Sequence, residues 1–191
     1  MKKFLTMALA LTLTVGALAG CTGNGDKGSA SGTVSSSASG NVSGSSSAGQ
    51  TPEELAQLYT DAITAAGGEM VEYNPVVTQM SGEDESAMLL DNMGLKKEDV
   101  QAFGISASMM SINAYGIAAV KPQEGKEDAV KQALQGYIDM QKSSFEQYLA
   151  DQYEIASNAK LEVLKDGTIL MVMSEDQDTV FDSIVSAVEK G

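Results

Sequence analysis

From residue 51 onward the apolar positions fall into stretches of two different periods. Leu55, Leu58, Tyr59, Ala62, Ile63 and Ala66 recur at helical spacing. Ahead of them Thr51, Pro52 and Glu54 supply an N-cap, a proline at the first helical position and an N3 carboxylate, which together make a capping box. The stripe predicts a first helix that ends at Gly67-Gly68. Glu69 to Met80 contains Asn74-Pro75, and a residue before proline is driven out of the helical region, so this stretch reads as an extended connection. Ser81 to Asn92 predicts a short helix that buries Met88, Leu89 and Met93 and stops at Gly94.

The period then drops to two. Phe103, Ile105, Ala107 and Met109 alternate with Gly104, Ser106, Ser108 and Met110, and Ile112 to Val120 forms a second apolar run. The pair predicts a β-hairpin turning near Met110-Ser111 and closed by Lys121-Pro122. Helical spacing returns after Gly125. Val130, Leu134, Tyr137, Phe145, Tyr148 and Leu149 predict one long helix over 126–150, its stripe interrupted by Gln141. Residues 160–174 predict a second hairpin around Asp166-Gly167, a favoured two-residue turn. Its return strand, from Thr168 to Met173, is apolar on both faces, which marks it as central or as covered by a partner. Ser174 and Gln177 have the spacing of a capping box, and Val180, Phe181, Ile184, Val185 and Val188 are the buried side of a last helix.

The fold class that follows is α+β. One antiparallel sheet of about four strands, from the two β-hairpins, carries the long central helix and the N- and C-terminal helices packed on it, with the helices on one face. Residues 51–191 are enough for one domain with a real core.

The first 50 residues follow neither period. Met1-Lys2-Lys3 is basic, Phe4 to Ala17 is almost uncharged and apolar, and Leu18-Ala19-Gly20-Cys21 closes the run. This is the three-part layout of a secretory signal peptide, and the apolar run falls short of the ~20 residues of a membrane span. Leu18 to Cys21 resembles the lipobox of bacterial lipoproteins. The resemblance implies diacylation of Cys21, cleavage before it, and attachment of the mature chain to the extracytoplasmic face of the cell membrane. Two acyl chains, at ~0.8 kcal/mol per buried CH₂, make a stable anchor. Thr22 to Gln50 is mostly Ser, Gly, Ala, Thr and Asn and is expected to be a disordered tether with a reach of roughly 30 Å. The expected organisation is therefore a lipoprotein signal peptide over 1–20, the lipidated Cys and tether over 21–50, and a single α+β domain over 51–191.

Composition narrows the chemistry. The chain has 12 Lys+Arg against 26 Asp+Glu, a net charge of −14, which falls to −16 without Lys2 and Lys3. It contains no Arg, no His and no Trp. Nucleic acid is excluded as a partner, because phosphate binding needs a basic stripe. A Ser-His-Asp triad, a Cys-His pair and a His- or Cys-ligated zinc are excluded by the missing residue types and by the commitment of the one Cys to lipid. Disulfides within the domain are excluded for the same reason, so the core alone must hold it.

Few candidate sites remain. Glu83-Asp84-Glu85, Glu98-Asp99, Glu124 with Glu127-Asp128, and Glu175-Asp176 with Asp178 are acidic clusters with spacings that calcium could use, but all sit at predicted helix N-termini, where carboxylates complement the helix dipole. Met109-Met110, with Asn113 and Tyr115 close by, is the candidate binding surface: methionine suits adaptable apolar recognition, and its thioether is a soft ligand for Cu(I). Gln141 either pairs with a strand backbone group or lines a small pocket with Tyr115 and Tyr137. No catalytic residue and no cofactor is assigned.

The segment from Tyr115-Gly116-Ile117-Ala118-Ala119-Val120-Lys121, through Tyr137, Gln141, Phe145 and Tyr148, to Asn158-Ala159 resembles small lipoproteins of low-GC Gram-positive bacteria that carry a domain of unknown function (number 4358). The resemblance covers most of 70–191 and implies an envelope lipoprotein without assigning an activity. The expected function is a membrane-anchored extracytoplasmic binding or interaction domain without catalysis, with the membrane and an envelope protein or ligand as partners. The alternatives are a carboxylate- or metal-dependent envelope hydrolase and a methionine-based metal-handling lipoprotein.

Overall fold

The computed structural model describes residues 49–191. The expected signal segment 1–20, the Cys21 anchor and the tether up to residue 48 lie outside the described residues. The first helix, α1 (Pro52–Ala66), starts as its sequence dictates. Glu54 donates its backbone N–H to Thr51 Oγ1 at 3.2 Å, and the Thr51 N–H reaches Glu54 Oε2 at 2.8 Å. Gly68 then takes a φ of +61°, which lets the chain turn and restart as α2 (Gly68–Tyr73). The expected extended connection therefore begins only at Asn74, beside the proline that enforces it. It leads into a two-residue strand, β1 (Val77–Thr78).

Helix α3 (Glu83–Asn92) ends in a Schellman motif built on Gly94 at φ +68°: Leu95 N–H bonds Leu90 O at 2.9 Å and Gly94 N–H bonds Asp91 O at 3.0 Å. A short 3₁₀ turn follows at Lys97–Asp99. The first hairpin pairs β2 (Val100–Ala107) with β3 (Gly116–Pro122). Helix α4 (Glu127–Phe145) is shorter than its apolar stripe predicts. Tyr148 and Leu149 both donate to Phe145 O, and Leu149 leaves the helical region at φ −136°, ψ 84°, so the chain restarts as α5 (Ala150–Ser157). Tyr148, expected in the stripe, is exposed, while Ile138 is buried in its place.

The second hairpin pairs β4 (Lys160–Val163) with β5 (Ile169–Met173). Its turn is one residue longer than the Asp166-Gly167 pair suggests. Leu164 N–H bonds Thr168 O at 2.7 Å around Lys165-Asp166-Gly167, and Gly167 at φ +83° closes a three-residue loop. Helix α6 (Gln177–Val188) begins two residues later than a Ser174 cap requires, because the chain spends Glu175-Asp176 turning out of β5. The expected capping box does not form, and Ser174 Oγ and Gln177 Oε1 are both left without a partner.

The five strands make one antiparallel sheet in the order β1-β2-β3-β5-β4. The expected α+β class holds, with β5 in the interior as its two apolar faces predict and β1 as the added edge. The helices are not confined to one face, however. Phe103, Ile105, Ala118, Val120, Ile169, Met171 and Met173 pack with α3, α4 and α5. Ala102, Ile117, Ala119, Leu170 and Val172 pack with α1 and α6. The physical reason is that β3 and β5, in the middle of the sheet, are apolar on both faces, and neither face can be left to water. On the α1 side the fit is close: a Cβ on Gly104 would lie 2.7 Å from Tyr59 Cβ.

Candidate functional site

The site is built from the β2–β3 connection, residues 108–115. Three hydrogen bonds give this loop its shape. Ser108 N–H reaches Tyr115 O at 3.1 Å, Met110 N–H reaches Ser108 Oγ at 3.2 Å, and Ala114 N–H reaches Gln152 Oε1 on α5 at 2.8 Å. With its base tied down in this way, the loop presents Met109 and Met110 outward, 51 % and 61 % exposed. The Asn92 amide lies 3.7 Å from Met109 Sδ.

Opposite the loop stand α3 and the segment from α2 to β1. Between them is a groove of about 570 Å³, lined on one side by Ala107, Ser108, Met109, Met110 and Asn113. Pro75, Val77, Met88 and Leu89 line the other side, and Met70, Tyr73, Asn74 and Glu85 complete it. Four methionines thus meet one cavity. Met88 is 54 % exposed and Tyr73 is 79 % exposed, so the groove opens directly to solvent. A second depression of about 520 Å³ adjoins it and shares Met70, Tyr73 and Asn113. Its remaining walls include Tyr115, Gln152, Glu69 and the turn Ser174-Glu175-Asp176.

The sequence-selected residues are therefore partly brought together. Met109, Met110 and Asn113 line the groove, and Tyr115 joins Asn113 in the neighbouring depression. Tyr115 is otherwise a packing residue. It is buried in the α1-side core, and its hydroxyl donates to Ser106 Oγ at 2.9 Å, which in turn donates to Asn74 O at 2.6 Å. Burial raises its pKa, and the Ser106 bond opposes the rise. This relay fixes Asn74, and with it the wall of the groove, to β2. Gln141 lines neither depression. It is half-buried on α4 beside Tyr137, whose phenol is pushed up to about 12 by burial, with Gln141 pulling the other way. The Tyr137 hydroxyl has no partner at hydrogen-bonding geometry.

Sequence reasoning missed Met70, Tyr73 and Met88. The first two fall in the stretch read as extended. Met88 was expected in the core; α3 instead buries Leu89, Leu90 and Met93, which turns Met88 outward. The adjacent Leu89-Leu90 pair is the signal that fixes this phase.

The acidic clusters occupy helix starts, as expected: Glu83, Asp84 and Glu85 on α3, Glu127 and Asp128 on α4, and Asp178 on α6. Asp99 is buried and ion-paired, with Lys126 Nζ 2.6 Å from Oδ1, and this carboxylate raises the Lys126 pKa. Among the described residues, no three acidic side chains gather closely enough to hold a metal ion. No described helix is long and apolar enough to cross a membrane.

Compared with known proteins, residues 75–174 match a family model described as Domain of unknown function (DUF4358). The match runs from just before β1 through β5 and takes in α3 and the methionine loop. No curated protein and no solved structure matches the chain.

Proposed function

Because the chain belongs to the DUF4358 family, whose description names no activity, we propose its function from the site itself: a lipid-anchored, extracytoplasmic, non-catalytic binding module that engages its partner through the methionine-lined groove. The observation that carries this reading is the exposure of Met88, Met109 and Met110 around one cavity. Exposed large apolar side chains are ordinary when scattered, but gathered on a concave surface they mark a place where something docks. Methionine adds adaptability, because its unbranched thioether chain repacks around different shapes. The lipobox-like Leu18-Ala19-Gly20-Cys21 supports the anchor, and the lack of His and Arg supports a role without catalysis.

Site-specific photocrosslinking tests the reading on intact cells. A crosslinker at position 110 should give discrete adducts that are lost when Met88 and Met109 are replaced by Gln. A crosslinker at the exposed Lys131 on α4 should give none of them. Identical products from positions 110 and 131 would refute the groove as the binding site.

A second reading, soft-metal handling, is supported by the same four thioethers, because Cu(I) prefers such neutral sulfur ligands. It predicts a rise in thermal midpoint on adding Cu(I) under reducing conditions that is lost in the Met88→Gln, Met109→Gln, Met110→Gln variant. The hydrolase reading has no comparable support, since among the described residues no three acidic side chains gather closely enough to hold a metal ion.

A further inference from the structure

We propose that the methionine groove and the acidic depression beside it form one recognition surface for a cationic amphipathic polypeptide segment, which sets bulky apolar side chains beside lysine or arginine. The proposal rests on the reading of the groove as the binding site and names the chemistry of its partner.

Continuity is the first ground. The two depressions share Met70, Tyr73 and Asn113, so a ligand lying in one extends into the other. The second ground is a gradient of polarity along them. Of the residues the two do not share, the groove has Pro75, Val77, Met88 and Leu89, whereas the depression has Glu69, Glu175 and Asp176. These three carboxylates are exposed, as is Glu85 on the groove. The third ground is the absence of any opposing charge. Neither lining contains a lysine, and the chain has no arginine at all. The apolar end demands apolar side chains, and the acidic end demands positive charge close beside them. The net charge of −14 extends the attraction beyond the contact itself.

A polymer fits better than a small amphipathic cation. A pocket of this volume would enclose a small ligand, yet Ile112 stands 60 % exposed on the same loop, outside both linings. Contact with it requires a ligand longer than the cavity. A second copy of this acidic chain would be repelled, as would a membrane of anionic lipid.

The test uses the full chain in zwitterionic nanodiscs, with empty nanodiscs as the blank. Fluorescence anisotropy follows three peptides of about 14 residues, a length at which an isolated helix is marginal and free to adapt. The first alternates Leu and Lys in an amphipathic pattern, the second replaces Lys by Glu, and the third replaces Leu by Ser. Only the Leu/Lys peptide should bind. Its affinity should fall at least about tenfold in the Met88→Gln, Met109→Gln, Met110→Gln variant and by a similar factor in the Glu69→Gln, Glu175→Gln, Asp176→Asn variant. It should also fall when salt is raised from about 0.05 to about 0.5 M, which shortens the screening length.

Equal binding of the Leu/Glu peptide, or an unchanged affinity in the acidic variant, would overturn the cationic class while the methionine dependence still upheld the groove. Equal binding of the Ser/Lys peptide would overturn it as mere charge attraction. Binding of no peptide overturns the present proposal alone if position 110 still gives discrete crosslinks in cells, and overturns the groove reading with it if those crosslinks are absent too.

Discussion

Gly104 and Gly136 make a matched pair in which the same added methyl has opposite consequences. In Gly104→Ala the new Cβ is directed at α1. It would lie 2.7 Å from Tyr59 Cβ, 3.4 Å from the Tyr59 carbonyl carbon and 3.5 Å from Val76 Cγ1. Tyr59 is fully buried and cannot swing aside, because its hydroxyl donates to Thr168 Oγ1 at 2.7 Å, and Thr168 is itself held by both oxygens of Asp166, at 2.6 and 3.0 Å. Relief therefore requires α1 to lift from the sheet, and overpacking of this kind costs about 1–3 kcal/mol. Gly136 lies on the exposed side of α4, and a Cβ there meets nothing within 4 Å. Gly136→Ala should instead stabilise by about 0.5–1 kcal/mol, because a helical glycine loses more backbone freedom on folding than alanine does. Urea denaturation of the full chain reads both effects as opposite shifts of the midpoint at constant slope. A Gly104→Ala loss below about 0.5 kcal/mol, the range of an ordinary surface substitution, would refute the close approach of α1 to β2.

Tyr137→Phe removes a buried hydroxyl that has no partner, so it should leave stability unchanged or raise it by up to about 1 kcal/mol. The same variant should flatten the alkaline limb of stability. The folded-state phenol is raised from 10.0 to about 12, so its contribution is complete below pH 10 and is lost as pH rises toward 12. Equal pH dependence of the thermal midpoint in wild type and variant over that window would contradict this. Cys21→Ala should move the protein from the membrane to the soluble fraction on cell fractionation and remove the lipid mass from its N-terminal peptide; retention in the membrane fraction would contradict a lipid anchor.

Much of the fold was legible because it is written locally. The Thr51 capping box, the Gly94 stop and the alternation from Phe103 to Ala107 each act within a few residues. The losses have physical causes of two kinds. Some breaks carry no punctuation: nothing in Glu146-Gln147-Tyr148-Leu149, which contains neither glycine nor proline, announces that α4 must end. Other features depend on backbone conformations that sequence permits without requiring. Gly68 could end a helix or begin one, and Asp166-Gly167 serves a two- or a three-residue turn. Coverage of both sheet faces was present in the doubly apolar strands, and a one-sided arrangement would have left one of those faces wet. At the site, Met109 and Met110 were legible as a pair of adaptable thioether side chains at the tip of a predicted hairpin, with Asn113 close by. Met70 and Tyr73 were not, because their part in the groove depends on a helix restarting at Gly68. Gln141 was selected for interrupting an apolar stripe, and that position borders Tyr137 rather than the groove.

The enclosure of the sheet between two layers of helices has a consequence for how this domain can diversify. The residues that hold it together lie on the strands and on the inward sides of the helices, whereas Met109, Met110 and Ile112 project from an eight-residue loop that is fastened at its base. Side chains at the tip of that loop can be exchanged without opening a cavity in either core. The architecture thereby uncouples persistence from preference: one scaffold can change what it touches while remaining the same folded object.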